Sequence, residues 1–594
     1  MYLKCHRRFK DGKEHRYWSI AEKRRCAGGR VVDRQVLYLG EINDSQKEAW
    51  LRCIEVFDES QRVQTRLALF PAETPVPTHA QTCGLQVYLE AFTLRRPRQW
   101  GACWVFCRLW EQLGLDAFWR TRLPDSREGT SWYHVLMILT AYRLMDPGSE
   151  WRLHRHWFEH SAMGELLGED YAIVAKDTLY RCLDKLLPHK EALFVPLRRS
   201  WQDLFGVKFE VLLYDLTSTY FESSPSGSEE DKRRFGYSPD HRPDCVQLVI
   251  ALVVTVEGFP LAYEVLAGNT ADSKTLENFL NKIEKHYGRA QRIWIMDRGI
   301  PTEEHLEKMR ARQISYLVGT PKGRLSKLAK ALATVPWQEA REAVEVKLLP
   351  QDPELYVLVQ SQARVSKERA MRRRRLKRLW KRLNELQQQR PSYETLLMKL
   401  GSARQEAGRA WSLVKLTLPE APPKQERSQR VDFSFRLDNA KLRLTRRREG
   451  RYLLRSNMSG SDPAQLWELY LQLTDVEAAF KQLKGDLAVR PIYPQLEHRI
   501  EAHIFVAFLA YCIQVTLKHR LRLKAPGLTA RQALDKFSTM QMLDVHFPTT
   551  DGRELIFTRY TEPEPDQPLL LAQLNWILPQ QPPPRITAKI AAQL

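Results

Sequence analysis

Phe209–Phe221 reads FEVLLYDLTSTYF, a run of β-branched and aromatic residues that predicts a buried strand. Asp215 stands where its apolar part, VLLYD, ends. A loop rich in Ser, Gly and acids follows (Glu222–Asp231), and then CVQLVIALVVTVEGFPLAYEV, two strand-like runs joined by the turn signal Glu257-Gly258. Further on, a helix closes at Asn281–Tyr287 and RIWIMD is a strand ending at Asp297. Thr302–Gln313 is a helix with acids in its first turn, and ISYLVGTP is another strand. Strands first, then alternating helix and strand around one buried sheet, is the pattern of an α/β fold.

Residues 345–455 interrupt that pattern. ELYVLVQSQA, SLVKLTLP, FSFRL, KLRLTRR and RYLLRSN read as strands. Between them Leu376, Leu379, Leu383 and Leu386 keep the 3-4-3 spacing of a coiled-coil-like seam, and Pro391-Ser392 breaks that helix and starts a second at Tyr393. The pair predicts an antiparallel helical hairpin at 365–408. Residues 464–524 read as helical throughout, and the Pro-rich QQPPPRI predicts an extended strap. Upstream, WVFCRLWEQLGL and LYRCLDKLL give 85–205 a helical texture, the second with a capping start at Lys176-Asp177-Thr178. A Pro-rich joint, Phe70–Thr78, separates this region from residues 1–60, where a β-like run (Arg30–Leu39) precedes a helical stretch after Asp44. No internal repeat is visible. The segments predicted are 1–70, basic α+β; 80–205, helical; 206–345 with 455–530, α/β; 346–454, an interruption with β runs and the hairpin; and 531–594, a C-terminal region with the Pro-rich tail.

The chain has 594 residues and a net charge of +21, which points to a polyanionic partner. The charge is localised. Residues 1–34 carry 11 Lys and Arg against 4 Asp and Glu, residues 364–390 carry 12 against 2, and residues 424–451 carry 10 against 4, leaving the remainder near −2. Localised charge makes a footprint for phosphates; the alternative is solvated helix faces and tails. A 43% hydrophobic fraction excludes a mainly disordered chain. Nine scattered Cys without a CxxC pair argue for a reducing compartment such as the cytoplasm, and against a disulfide framework or structural zinc site. No signal peptide and no membrane-spanning run are expected.

Chemistry falls on three acids. Asp215 and Asp297 each end an apolar strand, where α/β sheets build sites, although such residues also cap the following turn. Tyr470, Glu477 and Lys484 are seven apart, so on one helix, 464–487, they share a face beside the apolar stripe of Leu469, Val476, Phe480, Leu483 and Leu487. A surface row is the alternative. His154, His156 and His160, with Cys103 and Cys107, and separately His498 and His503, match no standard metal spacing and read as surface or core histidines.

In combination these motifs resemble the insertion-sequence transposases with a DDE triad and a Y-R-E-K signature. D-x-T-x-x-Y is Asp215, Thr217 and Tyr220; G-N-T-x-D lies in Gly268–Leu276; D-R-G is Asp297-Arg298-Gly299; and Y-x2-R-x3-E-x6-K is Tyr470, Leu473, Glu477 and Lys484, followed by RPIYP (Arg490–Pro494). The resemblance covers roughly 206–515 well and the N-terminal third more loosely. Leu473 stands at the signature Arg position, and Lys481 and Arg490 are nearby substitutes for its phosphate contact.

The resemblance implies an RNase H-like catalytic core interrupted by a mostly β insertion between Asp297 and Glu477, 180 residues apart, to which the basic hairpin is an addition. It implies catalytic and metal-binding roles for Asp215, Asp297 and Glu477, with two Mg²⁺ or Mn²⁺ ions per site. Hard cations of this kind prefer carboxylate oxygen, and two flanking a phosphate activate the attacking oxygen and stabilise the leaving one. Double-stranded DNA, as transposon ends and target, is the implied partner, bound by a homodimer through Tyr470, Lys481, Lys484, Arg490 and Arg298. From the basic hairpin, Arg372, Arg373, Arg374, Arg375, Lys377 and Arg378 add phosphate contacts. Arg242 and Asp244 are expected to belong to the scaffold. The activity expected is cut-and-paste DNA transposition. The alternatives are an inactive DNA-binding derivative, to which Leu473 points, and an RNase H-like nuclease.

Overall fold

The computed structural model describes residues 2–10, 13–25, 31–40, 87–221, 231–236, 242, 244–270, 275–287, 292–297, 299–320, 322–419, 430–458, 462–487, 489, 492 and 494–587. They divide into two units: Met1–Arg8, Arg16–Arg292 and Gln472–Leu594 in the first, and Phe9–His15 and Ile293–Leu471 in the second. The helical stretch expected after Asp44 and the Pro-rich joint lie outside the described residues.

The basic N-terminal stretch forms the sheet β1 (Tyr2–Lys10), β2 (Lys13–Arg25) and β3 (Val31–Gly40), in that order. An unexpected strand, β4 (Thr93–Gln99), opens the helical region. Helices α1 (Gly101–Gln112), α2 (Trp132–Met145), α3 (Lys176–Leu186) and α4 (Lys190–Phe205) follow. Helix α3 begins at Lys176, with Ala175 at the cap position and no side-chain cap, so the expected Asp177/Thr178 cap is not formed.

Strands β5 (Val211–Phe221), β6 (Val246–Thr255) and β7 (Pro260–Ala267) form an antiparallel meander, with helix α5 (Leu276–Tyr287) after it. Every residue of β6 is buried, as its unbroken apolar run requires. Gly258, at φ +91°, makes the β6–β7 turn. Strand β5 does not end at Asp215. Thr217, Thr219, Tyr220 and Phe221 continue the pairing, from Asp215 opposite Leu252 to Phe221 opposite Val246, because β-branched and aromatic residues suit a paired strand as well as aliphatic ones do.

The second unit is built on a six-strand order, β10-β11-β12-β15-β9-β8. Its elements are β8 (Ile293–Met296), α6 (Glu303–Ala311), β9 (Ser315–Gly319), α7 (Lys322–Thr334), β10 (Gln338–Arg341), β11 (Val344–Gln351) and β12 (Glu354–Ser361). The hairpin follows as α8 (Gln362–Gln389) and α9 (Tyr393–Ala407), then β13 (Val414–Thr417) paired with β14 (Ser434–Leu437), α10 (Asn439–Arg447), β15 (Arg451–Ser456) and α11 (Pro463–Leu471). Only β8–β9 is parallel; the other pairs are antiparallel. The leucine seam is realised: Leu379, Leu383 and Leu386 bury against Leu396, Leu400, Ala403 and Phe433.

KLRLTRR is not a strand. Asp438 caps a helix there by accepting the Lys441 N–H at 3.1 Å. Leu442 is buried while Leu444 is 53% exposed, so the apparent alternation of leucines never served a two-faced strand.

The first unit resumes with α12 (Leu473–Lys484), α13 (Glu497–Lys524) and α14 (Ala530–Phe537), then β16 (Gln541–Pro548), β17 (Glu554–Tyr560) and β18 (Arg585–Ile586), ordered β18-β17-β16-β4. The segment 464–524 is thus helical in three pieces rather than throughout. Helix α13 is long and apolar enough to cross a membrane by length and composition, but it is buried, packing on α2 and α3 as the core of the first unit. The Pro-rich strap lays β18 on β17.

Candidate active site and basic surface

Asp215 lies mid-strand in β5, half-buried, its Oδ1 accepting the Leu216 N–H at 2.8 Å. Helix α12, which carries Glu477, packs on β5. Five residues along β5 from Asp215, Tyr220 lies under the Arg242 guanidinium, 4.9 Å from the ring centroid. Arg242 also donates to both oxygens of Asp244, at 2.9–3.1 Å, and this bonding holds the Asp244 carboxyl down to about 2. Arg242 and Asp244 therefore brace each other against the first motif's Tyr, in keeping with a scaffold role.

Asp297 follows β8 directly and its side chain is exposed. Its carbonyl accepts the Ile300 N–H at 3.3 Å, and Thr302 then caps α6 with a reciprocal bond to His305. The first acid of α6, Glu303, is gripped by Arg455 of β15 through two bonds of 2.7 and 2.8 Å and by Arg324. Arg455 also bonds buried Glu354, which accepts from Arg310 at 2.7 Å and from Tyr316. Beside it, Asn457 accepts the Tyr316 N–H at 2.9 Å and donates to the Ile314 carbonyl at 2.9 Å. This lattice fixes the turn after Asp297 to β9, β12 and β15. Sequence reading missed it. Its one legible sign was an Arg inside the apolar strand RYLLRSN, since a buried Arg demands acids.

The single helix expected over 464–487 is two, α11 and α12, parted at Gln472. Glu477, Lys481 and Lys484 all stand on α12, with Glu477 and Lys481 exposed and both lysines in its last turn, where they suit the helix dipole. Val476, Phe480 and Leu483 are buried as the stripe requires. Tyr470 belongs to α11, so a face shared with Glu477 does not follow from helical spacing. Its ring stacks on Tyr452 of β15 at 5.9 Å, and Tyr452 accepts the Trp467 indole N–H at 2.6 Å. Arg298 and Arg490 lie outside the described residues.

Asp215 and Glu477 belong to the first unit and Asp297 to the second. Their oxygens are the donor type a hard divalent cation takes. Among the described residues, no three His, Cys, Asp or Glu side chains are gathered closely enough to hold a metal ion together. The histidines are accounted for otherwise. His156 and His160 stack on each other at 4.5 Å, His154 bonds the Val174 carbonyl, and His498 pairs with Asp184 at 3.0 Å. His503 is buried between Arg143 and Glu150, at 3.3 and 3.2 Å.

On the hairpin, Arg373, Arg374, Arg375, Lys377 and Arg378 are exposed, whereas Arg372 turns inward to Glu449. Arg369 donates to the same carboxylate at 3.1 Å, and Glu368 accepts the Gly450 N–H at 3.0 Å.

Residues 208–513 match a family model described as the transposase DDE domain. No curated protein matches the sequence. Among solved structures, a cryo-EM synaptic complex of the piggyBac transposase with hairpin DNA aligns at 9% identity over 73% of this chain and 76% of that one, with a TM-score of 0.32. The Mos1 transposase paired-end complex with the left transposon end aligns at 10% identity over 47% and 78%, with a TM-score of 0.14.

Proposed function

Because the chain belongs to the transposase DDE domain family, we propose that it is the transposase of an insertion sequence, binding terminal inverted repeats and moving them by cut-and-paste transposition. The observation that carries this reading is the family match over 208–513, which encloses Asp215, Asp297 and Glu477 at the motif positions of a DDE triad.

In this reading the catalytic core is RNase H-like, and Asp215, Asp297 and Glu477 would hold two Mg²⁺ or Mn²⁺ ions. Ions held there would supply activation of an attacking water or 3′-hydroxyl and stabilisation of the leaving oxygen. The chain's own residues do the rest. Lys481 and Lys484, at the end of α12, with Tyr470, Arg298 and Arg490, orient the end DNA. The Glu303–Arg455–Glu354 lattice holds the turn after Asp297 in place, which limits the backbone freedom lost when substrate arrives. The exposed cations of the hairpin supply phosphate contacts, which give affinity without sequence information. The working form is a homodimer on DNA, in the cytoplasm with the nucleoid.

The test is cleavage and joining of a labelled inverted-repeat end in Mg²⁺, with Asp297→Asn as control. Joining by the wild type and none by the variant is expected. Cleavage indifferent to end sequence would make the protein a general nuclease. Tight binding with no cleavage in Mg²⁺ or Mn²⁺ would make it an inactive derivative.

A further inference from the structure

We propose that α10 and the basic half of α8 form one composite surface for the phosphate backbone of double-stranded DNA, with Arg372 as its internal anchor and not as a DNA contact. The proposal rests on the DNA-transposase reading and extends it to a segment, Lys441–Arg448, that has no part in the three-acid site.

The two most basic stretches of the second unit, 364–390 and 424–451, are far apart in sequence but joined through two acids. Glu449, nearly fully buried, binds Arg372 and Arg369 of α8 together, while Glu368 of α8 accepts the backbone N–H of Gly450. The end of α10 is thereby pinned to α8 a few residues away. Arg446 of α10 is close enough to Arg372 that, after burial itself, its charge is the chief influence holding the Arg372 guanidinium below its ordinary value, with Arg369 and Arg373 adding to it. Four arginines from two helices thus crowd one spot, with Glu368 and Glu449 beside them.

Other cations of the two helices are exposed, Lys441 also pairing with Asp438 at 3.9 Å. On α8, Arg374, Lys377 and Lys381 recur at three and four and lie opposite the leucine seam, with Arg373 and Arg378 flanking them, and all five are exposed. On α10, Lys441, Arg443, Arg446 and Arg447 are exposed, as is Arg448 after it. Like charges held this close repel, so the arrangement is costly unless a polyanion lies across it. Arg364 to Arg382 spans 18 residues of continuous helix. That is about 27 Å, the length of roughly eight base pairs of duplex.

The experiment measures affinity of the full chain for a random-sequence duplex of about 30 base pairs by fluorescence anisotropy across several KCl concentrations. It compares wild type with Arg443→Gln/Arg446→Gln/Arg447→Gln and with a charge-matched control, Arg522→Gln/Lys524→Gln/Arg585→Gln, whose three side chains are exposed in the first unit and have no part in the proposed DNA contacts. The α10 variant is expected to bind at least about tenfold more weakly at low salt, with the slope of log affinity against log salt reduced by roughly two to three. The control is expected to match wild type. Wild type with a steep salt slope and an α10 variant indistinguishable from it would overturn this proposal alone. A wild type with no salt-dependent duplex binding would overturn the transposase reading as well. An α10 variant that loses affinity for phosphatidylserine vesicles but not for duplex would make the surface a membrane contact and sink the proposal. Circular dichroism identical to wild type confirms that the variant folds; should it not fold, Arg443→Gln alone, expected to lower the slope by about one, decides the matter in the same way.

Discussion

Arg372 of α8 closes an ion pair on Glu449, next to β15, and neither side chain reaches water freely: 10% of the first and 3% of the second are exposed. Burying two charges stabilises little in itself, but removing one partner leaves the other stranded. Glu449→Gln is therefore expected to destabilise the docking of α8 by about 3 kcal/mol. The double variant Arg372→Met/Glu449→Met should recover most of that loss. Amide hydrogen exchange over Gln362–Gln389 reports both. A double variant as unprotected as the single one would show that the pair does not hold α8.

Gly450 makes the same junction sensitive to one methyl group. Its φ is +70°, and an added Cβ would stand 2.3 Å from Val365 Cγ2 and 2.8 Å from the Ser361 carbonyl oxygen. Gly450→Ala should cost about 1–3 kcal/mol and expose the first turns of α8 to exchange. Gly401, inside α9 with nothing within 4 Å of its added Cβ, is the opposite case. Gly401→Ala should stabilise the hairpin by about 0.5–1 kcal/mol. Thermal melts of the two variants moving in the same direction would refute the contrast.

These junctions show where a sequence is legible. The hairpin could be read because Leu379, Leu383 and Leu386 make a local stripe whose periodicity needs no knowledge of the partner. Val365, Arg372, Leu379 and Leu386 are each seven apart, so Arg372 already stood on that stripe. It was assigned to DNA because its buried acid lies 77 residues away, beyond any local pattern. Strand β4 was hidden for the same reason. TLRRPRQ looks like nothing apolar, and its one deeply buried residue, Arg98, is held by two 2.9 Å bonds to Asp544 of β16, 446 residues on. Strand texture and motif spacing are what single out Asp215, Asp297 and Glu477 in the sequence. That β5 runs unbroken past Asp215 was less plain, since an Asp also favours a turn. The break at Gln472 leaves no mark in composition.

The grip of Arg455 on Glu303, helped by Arg324, holds that carboxyl at about 2, well below its ordinary 4.5. A depressed carboxyl contributes stability that is fully present above its unfolded value and is lost as pH falls through the folded one. The contribution is therefore complete at neutral pH and disappears between about pH 4.5 and 2. Glu303→Gln should be less stable than wild type in urea at neutral pH, and the gap should shrink across that acid window. A gap that stays constant down to the lowest pH at which the protein folds would mean that the Arg455 pair contributes nothing.

Metal dependence is the last test. If Asp215, Asp297 and Glu477 hold divalent ions, chelation by EDTA should abolish end cleavage, and Mg²⁺ or Mn²⁺ should restore it. Glu477→Gln should cleave in neither ion while keeping wild-type affinity for duplex in EDTA, because an exposed side chain on α12 can change without disturbing the buried stripe of Val476, Phe480 and Leu483. A second readout is independent of activity. A ligand that binds only the folded state stabilises it by about 2.7 kcal/mol at a hundredfold excess over its Kd. Saturating Mg²⁺ should raise the melting temperature of the wild type measurably, and that of Asp215→Asn by much less. Equal Mg²⁺ stabilisation of the two proteins would place the ion somewhere other than Asp215, and the three-acid site would have to be abandoned.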